Sequence, residues 1–256
     1  MADISGPAAP KTQAGKAVRA GAPEGGSAAP RGLMDLRGRH EDVPAVLSYP
    51  PGAVVVVSGL PGSGKSTLLR RWSRAAADGA APAGPGRTPA TPSAVDPRAV
   101  HVACEAVMPA RLPYAVYRPW ARLEHFRWLR AEVRGGGPLL VHDCGSRAWM
   151  RRWLARTAGR QGRELHLILL DVGAQEALAG QAARGRWASR RVFARHRRGL
   201  DRLLHALSEG SGPRPVTPVP QPVESVPVPE AVAEAASVVL LDRTSRERVA
   251  ALTFGP

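Results

Sequence analysis

The chain has 256 residues, a formal net charge of +15, 44% hydrophobic residues and only 5% aromatic ones. That length suits one α/β domain with unstructured ends and is too short for two well-cored domains. Few aromatics put the core on Leu, Val and Ala, the composition of a parallel sheet buried on both faces.

Lys11, Lys16 and Lys65 are the only lysines, so arginine carries nearly all the positive charge. The charge is compatible with nucleic acid or another polyanion as partner, and equally with a compositional bias toward Arg, Ala, Pro and Gly. No apolar run reaches the roughly 20 residues a membrane span needs, and the N-terminus lacks a charged-then-apolar signal pattern. Cys104 and Cys144 each close an apolar run and read as free, partly buried thiols. A cytoplasmic protein is the expectation.

Residues 1–30 hold almost no large apolar groups and are expected to be a disordered tail preceding a single domain over 31–256. Ala53–Val57 is a short β-branched run that predicts a buried strand. Lys65–Ala77 carries Leu68, Leu69 and Trp72 at helical spacing. Residues 78–97 read as a breaker-rich flexible insert, and Ala99–Ala103 as a second, weaker strand. Pro113–Pro119 reads as a loop whose Tyr114 and Tyr117 could stack on a base or anchor the loop. Trp120–Arg134 predicts a helix stopped by a Gly run, Leu139–Asp143 a strand, and Arg147–Gly159 a basic helix. Leu165–Asp171 is the clearest strand after the first, followed by helices over Gln175–Arg184 and Ser189–Glu209. Residues 210–230 are a Pro-rich linker, Ser237–Asp242 a last strand, and a short helix follows. Strands alternating with helices imply parallel βαβ units.

The run Gly59, Leu60, Pro61, Gly62, Ser63, Gly64, Lys65, Ser66, Thr67 fits the phosphate-binding pattern G-x-x-x-x-G-K-[ST]. Glycines at these positions let backbone N–H groups approach phosphate oxygens, and the helix that starts near Lys65 adds its positive dipole end. Lys65 is placed to reach the β- and γ-phosphates and Ser66 to ligate Mg²⁺. ATP with Mg²⁺ is therefore the expected ligand. The alternative, a Gly-rich turn with no ligand, does not explain why a strand leads in and an amphipathic helix leads out.

Such proteins need a carboxylate at the end of a neighbouring strand to hold Mg²⁺ directly or through water. Asp143 and Asp171 are the candidates. Asp143 is favoured because the neighbouring strand is usually the third in sequence, and either residue could instead be a helix N-cap. Cys144 rather than Glu follows Asp143, which argues against efficient hydrolysis and suits a kinase, where water at the γ-phosphate wastes the reaction. The Arg-dense run around Arg184, Arg186, Arg190 and Arg191 suits a mobile lid over about 173–191 that closes on phosphoryl oxygens, or alternatively a solvated basic helix end. Arg147, Arg151 and Arg152 are further candidates for an anionic acceptor. His101, His142, His166 and His196 lack metal-ligand spacing and read as surface positions.

Taken in order, GLPGSGKST, LLVHDCGSRAWMRRWL, LHLILLDV, QAARGRWASRRVFARH and SVVLLDR resemble small actinobacterial P-loop ATP-binding proteins described as AAA-family ATPases, related to the zeta-toxin and polynucleotide-kinase group. The resemblance spans residues 50–255. It implies an α/β three-layer P-loop fold with a five-stranded parallel sheet in the order 2-3-1-4-5. It also implies a helical lid carrying Arg184, Arg186 and Arg190 or Arg191, and transfer of the γ-phosphoryl group to a hydroxyl. Polynucleotide-kinase relatives place a general-base Asp in an Asp-x-x-x-Arg motif after the second strand. Here 102–111 reads VACEAVMPAR, which leaves Glu105 and Arg111 as substitutes at altered spacing.

Three functions compete at this point. The first is a kinase acting on an unidentified acceptor, small or a nucleic-acid end. The second is a nucleotide-dependent switch with little turnover, favoured by the altered base motif. The third is an AAA+-type motor, which the missing Asp-Glu pair disfavours.

Overall fold

The computed structural model describes residues 26–39, 41–79, 91–109, 111–143, 147–185, 188–209 and 226–255. In chain order the elements are β1 (Ser27–Ala28), β2 (Gly32–Asp35), β3 (Val46–Tyr49), β4 (Val54–Gly59), α1 (Lys65–Gly79), β5 (Ser93–Val95), α2 (Pro97–Val107), α3 (Tyr114–Arg134) and β6 (Leu139–His142). They continue with α4 (Ala148–Gly159), β7 (Leu165–Leu170), α5 (Ala174–Ala182), α6 (Arg190–Glu209), a 3₁₀ turn (Glu230–Val232), β8 (Ser237–Leu241), α7 (Arg243–Arg248) and β9 (Ala251–Phe254).

The main sheet has six parallel strands in the order β2-β8-β7-β4-β6-β5, and a smaller parallel sheet has the order β1-β3-β9. This corrects the five-stranded expectation. The sixth strand, β2, pairs with β8. Gly32–Asp35 is a four-residue strand in an unpatterned stretch, too short to stand out by periodicity.

The second strand also differs. Ala99–Ala103 lies within α2, and the strand is Ser93–Val95, inside the stretch read as a flexible insert. Asp96 and Pro97 explain the shift. The Asp96 side chain accepts from the Arg98 N–H as N-cap, and Pro occupies the first helical position, where its missing N–H costs nothing. Tyr114–Pro119 is the first part of α3 rather than a loop, and Tyr117 is buried in the small core that joins α2 to α3. Ser27–Ala28, within the expected tail, pair with β3.

Alternation along β4 sets the layers. Val54 and Val56 face Leu129 and Val133 of α3, Met150 and Leu154 of α4, and Leu203 and Leu207 of α6. Val55 and Val57 face Leu68, Leu69 and Trp72 of α1. Helix α1 is itself covered by the small sheet, whose Leu47, Tyr49, Leu252 and Phe254 share its core. The Trp72 indole donates to the Val249 carbonyl at 2.9 Å, so its one polar group is satisfied. Full burial of such a side chain contributes roughly 3 kcal/mol, enough to fix α1 and the loop that leads into it. Among the described residues, no helix is long and apolar enough to cross a membrane.

Candidate functional site

The glycine-rich run joins the end of β4 to the start of α1, which begins at Lys65. Gly62 and Gly64 have φ of 93° and 91°, a region that favours residues without a Cβ. The Ser63 N–H donates to the Leu60 carbonyl, and the N–H groups of Thr67 and Leu68 donate to Gly64. Lys65 is only 3% exposed, and its Nζ donates to the carbonyls of Gly59 at 2.8 Å and Leu60 at 2.7 Å. The ammonium thus closes the loop on itself and holds its shape.

A cavity of about 1040 Å³ opens beside the loop, with Pro61, Gly62, Gly64, Lys65 and Ser66 in its wall. Asp143 follows β6, is buried, lines the cavity and donates its N–H to the Val57 carbonyl of β4 at 3.0 Å. Asp171 follows β7 and lies elsewhere. It accepts from Arg37 at 2.6 Å, and the same guanidinium is held by Asp35 at the end of β2. Asp171 therefore completes an ion-pair cluster that joins the ends of β2 and β7 and is absent from the cavity wall.

Among the residues lining the cavity that were not singled out as site residues from sequence are Asp96 and His142. Asp96, at the end of β5, lies 2.9 Å from His142 Nδ1, and the Ser66 hydroxyl lies 3.3 Å from the same nitrogen. With the ring proton on Nδ1, His142 donates to Asp96 Oδ1. Burial opposes ionisation of Asp96. The His142 hydrogen bond and charge, the Arg98 amide and Ser66 outweigh it and hold the carboxyl well below the ordinary range. The signal for Asp96 was present as an Asp-Pro helix start after Ser93–Val95. It was obscured because the preceding breaker-rich run drew the pair into a presumed linker.

Glu105, the substitute base, sits mid-helix in α2, pairs with His101 at 3.4 Å and does not line the cavity. Burial, followed by the His142 charge, lowers the His125 pKa, and burial, followed by Arg195, lowers that of His196. Both imidazoles line the cavity and favour the neutral form. His166 is a core residue of β7, not a surface position.

Of the arginines, Arg184 lines the cavity and donates to the Thr67 hydroxyl at 3.2 Å, next to the loop. Arg190 and Arg191 begin α6, are exposed and do not line the cavity; Arg195 and Arg202, further along the helix, do. Arg186 lies outside the described residues. Arg147 lines the cavity, whereas Arg151 is buried against Glu234 at 2.8 Å and Arg152 is exposed elsewhere. Cys104 is a buried free thiol in the α2–α3 core, and Cys144 lies outside the described residues.

Helix α5 also contacts the loop. Gln181 donates to the Pro61 carbonyl at 3.0 Å, and Gly180 lies so close that a Cβ there would collide with the Gly62 carbonyl oxygen. Arg246 of α7 also donates to the Ser63 carbonyl and pairs with Glu176 of α5 at 3.0 Å. The loop is therefore held by contacts from two helices, and Pro61, Gly62 and Gly64 line the cavity.

The arrangement brings together backbone amides, a helix start and an ammonium, groups suited to a phosphate-bearing ligand. The Ser66 hydroxyl and Asp143 carboxylate are hard oxygen donors of the kind Mg²⁺ prefers, so the residues present fit that ion.

No family model and no curated protein matches the chain. Among solved structures it is similar to one from the PezAT chromosomal toxin–antitoxin system of Streptococcus pneumoniae, with 12% identity and a TM-score of 0.39 over 52% of this chain and 52% of that chain. It is also similar to a gluconokinase of Sinorhizobium meliloti, with 16% identity and a TM-score of 0.38 over 77% of this chain and 87% of that one. A third is the Mycobacterium tuberculosis APS kinase in complex with AMPPNP and APS, with 18% identity and a TM-score of 0.38 over 78% and 94%. The chain spans about half the length of the first of these. What the chain is rests on its own residues: an α/β protein with a glycine-rich loop of the G-x-x-x-x-G-K-[ST] pattern between β4 and α1, facing a cavity that holds two strand-end carboxylates.

Proposed function

We propose that the protein is a phosphotransferase that moves the γ-phosphoryl group of ATP to a hydroxyl of an acceptor bound in the same cavity. The observation that carries this reading is the joint presence of Lys65, Asp143 and Asp96 in one cavity wall, on the loop and on the ends of β6 and β5.

In this reading the loop amides and Lys65 hold the triphosphate, and Ser66 with Asp143 would hold Mg²⁺, which when bound would offset phosphate charge. Asp96 orients the acceptor O–H and takes its proton as the new O–P bond forms and the bond to the β-phosphate breaks. A carboxylate held below its ordinary pKa is a weak base, but it is ionised at neutral pH. Phosphoryl transfer depends mainly on positioning and electrostatics, with little need for a strong base. Arg184 and Arg195 supply positive charge for the transferring group, and Arg186 and Arg190 remain candidates for that role if the lid closes. The switch reading rested on the lack of a base after the second strand, and Asp96 removes that ground.

The test is ATP consumption with γ-labelled ATP across a panel of hydroxyl acceptors, run with the parent protein, Lys65→Ala and Asp96→Asn. Acceptor-dependent labelling by the parent and not by either variant is the expected result. Tight ATP binding with no labelling of any acceptor would leave the switch as the better account.

A further inference from the structure

We infer that the acceptor carries a phosphate group of its own, and that Arg118 and Arg122 of α3, with Arg98 of α2, bind it on the β5–β6 side of the cavity. This rests on the phosphotransferase reading above and names its substrate class.

The argument starts with α3. Arg118, Arg122, His125, Phe126, Leu129 and Val133 recur at three- and four-residue steps and so share one face of the helix. At Leu129 and Val133 that face is fully buried in the core against the sheet. Two turns earlier the same stripe leaves the sheet and becomes Arg118, Arg122, His125 and Phe126, all in the cavity wall. Arg118 and Arg122 are solvent-exposed, yet they continue the helix face that packs on the sheet and line the cavity, so they present their charge to a ligand there.

The charges there are uncompensated. The α3 carboxylates are engaged elsewhere: Glu124 lies 3.8 Å from Arg127 and Glu132 accepts from the Trp128 indole. Among the described residues, Arg98, Arg118 and Arg122 form no ion pair, while Arg37, Arg151 and Arg246 each form at least one. Among the described residues, the only carboxylates in the cavity wall are Asp96 and Asp143 at strand ends. Like charges gathered in a concave wall repel each other and focus a positive field into the cavity.

The nucleotide does not account for these arginines. Its triphosphate is served by the loop, Lys65 and Arg184, which sit on β4, α1 and the end of α5, whereas α3 packs on α2, α4 and β5. Arg98 is two residues beyond Asp96, so an anion on this wall would sit beside the carboxylate assigned to the acceptor hydroxyl. Arginine's planar fork matches phosphate oxygens in a bidentate manner.

The test is calorimetric titration of the full chain saturated with Mg²⁺ and a non-hydrolysable ATP analogue, at ~0.15 M salt to screen loose surface binding. Each probe is paired with its dephosphorylated counterpart: ribose 5-phosphate with ribose, uridine 5′-monophosphate with uridine, and a 5′-phosphorylated trinucleotide with its 5′-hydroxyl form. The first two pairs report a small phosphorylated acceptor and the third a polymer end.

At least one phosphorylated probe should bind roughly tenfold or more tightly than its counterpart, and Arg118→Gln with Arg122→Gln should remove that preference while analogue affinity changes less than about twofold. Arg130→Gln, exposed on the same helix and outside the cavity, should retain it. Equal binding of both members of every pair, no binding of any probe, or an unchanged preference in the double variant would overturn the inference. Failure of the parent to bind the ATP analogue would instead overturn the phosphotransferase reading.

Discussion

Asp96 Oδ1 and His142 Nδ1 lie 2.9 Å apart and join the start of α2 to the end of β6, directly before Asp143. Ser66, the residue after the loop lysine, touches the same imidazole nitrogen at 3.3 Å. The carboxylate assigned to the acceptor and the hydroxyl assigned to the metal thus share one polar network. That network predicts a separation of effects. Asp96→Asn should lower acceptor-dependent transfer by roughly 10²–10⁴-fold, the range expected for a lost proton acceptor, while ATP affinity stays near that of the parent. Rates measured at saturating ATP, with affinity measured separately, check it. Loss of both together would mean that Asp96 acts through the loop and not on the acceptor.

Lys65→Ala should weaken binding of Mg²⁺ and ATP by roughly 10–100-fold, the loss expected for a charge-assisted contact to phosphate. The same substitution removes the donor to the carbonyls of Gly59 and Leu60, so the free loop should also become more susceptible to proteolysis. Nucleotide titration and limited proteolysis without ligand read the two effects independently. Unchanged affinity would refute the loop as the nucleotide site.

The two strand-end aspartates should behave differently. Asp143→Asn should raise the Mg²⁺ concentration needed for nucleotide binding by roughly 10–100-fold. Asp171→Asn should leave that requirement unchanged and reduce stability by no more than about 1 kcal/mol, because its pair with Arg37 is partly exposed. Magnesium titrations and denaturant melts of both variants test this. A magnesium effect at Asp171 would reverse the assignment.

The contrast between these residues shows what was readable in the amino-acid order. The loop, β4, β6 and β7 were legible because an unbroken apolar run followed by glycines has few other structural solutions. Strand order favoured Asp143 over Asp171, yet β6 and β7 both pair with β4, so adjacency alone does not separate them; the cavity wall, which includes Asp143 and not Asp171, does. Asp96 was hidden because β5 has three residues and follows a Pro- and Gly-rich run, so neither periodicity nor length marks it. His142 was dismissed for lack of metal-ligand spacing, although its partner Asp96 lies 46 positions away and comes near only because β5 and β6 pair. β2, β3 and β9 each have four residues and were missed for the same reason as β5. Of the arginines expected in the lid, Arg184 lines the cavity and Arg190 does not, while Arg195 and Arg202, further along α6, do.

His166 provides a pH signature away from the site. It is buried, its Nδ1 shares a 2.8 Å hydrogen bond with the Ser237 hydroxyl, and burial lowers its pKa to about 4. In the unfolded chain a histidine takes up its proton near pH 6.5. Between those values the unfolded state binds a proton that the folded state refuses, so the stabilisation is fully present above about pH 6.5 and declines as the pH falls toward about 4. The loss should be on the order of 3 kcal/mol. Denaturant melts across that window should show the decline, and His166→Gln, which can still bond Ser237 but does not titrate, should flatten it. An identical slope in the variant would assign the decline to the other histidines.

Gly180 tests whether α5 holds the loop. Alanine is the better helix former by about 1 kcal/mol, so on propensity alone Gly180→Ala should stabilise α5. The added Cβ, however, would run into the Gly62 carbonyl oxygen, a backbone atom that cannot swing aside as a side-chain tip would. Overpacking of this kind typically costs about 1–3 kcal/mol, so the clash outweighs the propensity gain. Helix α5 should then lift from the loop, breaking the Gln181 bond to Pro61 and straining the pair between Glu176 and Arg246. The expected result is weaker ATP binding together with a lower melting temperature, and excess ATP should recover part of the latter because ligand binding favours the docked form. A higher melting temperature with unchanged ATP affinity would mean that α5 does not support the loop.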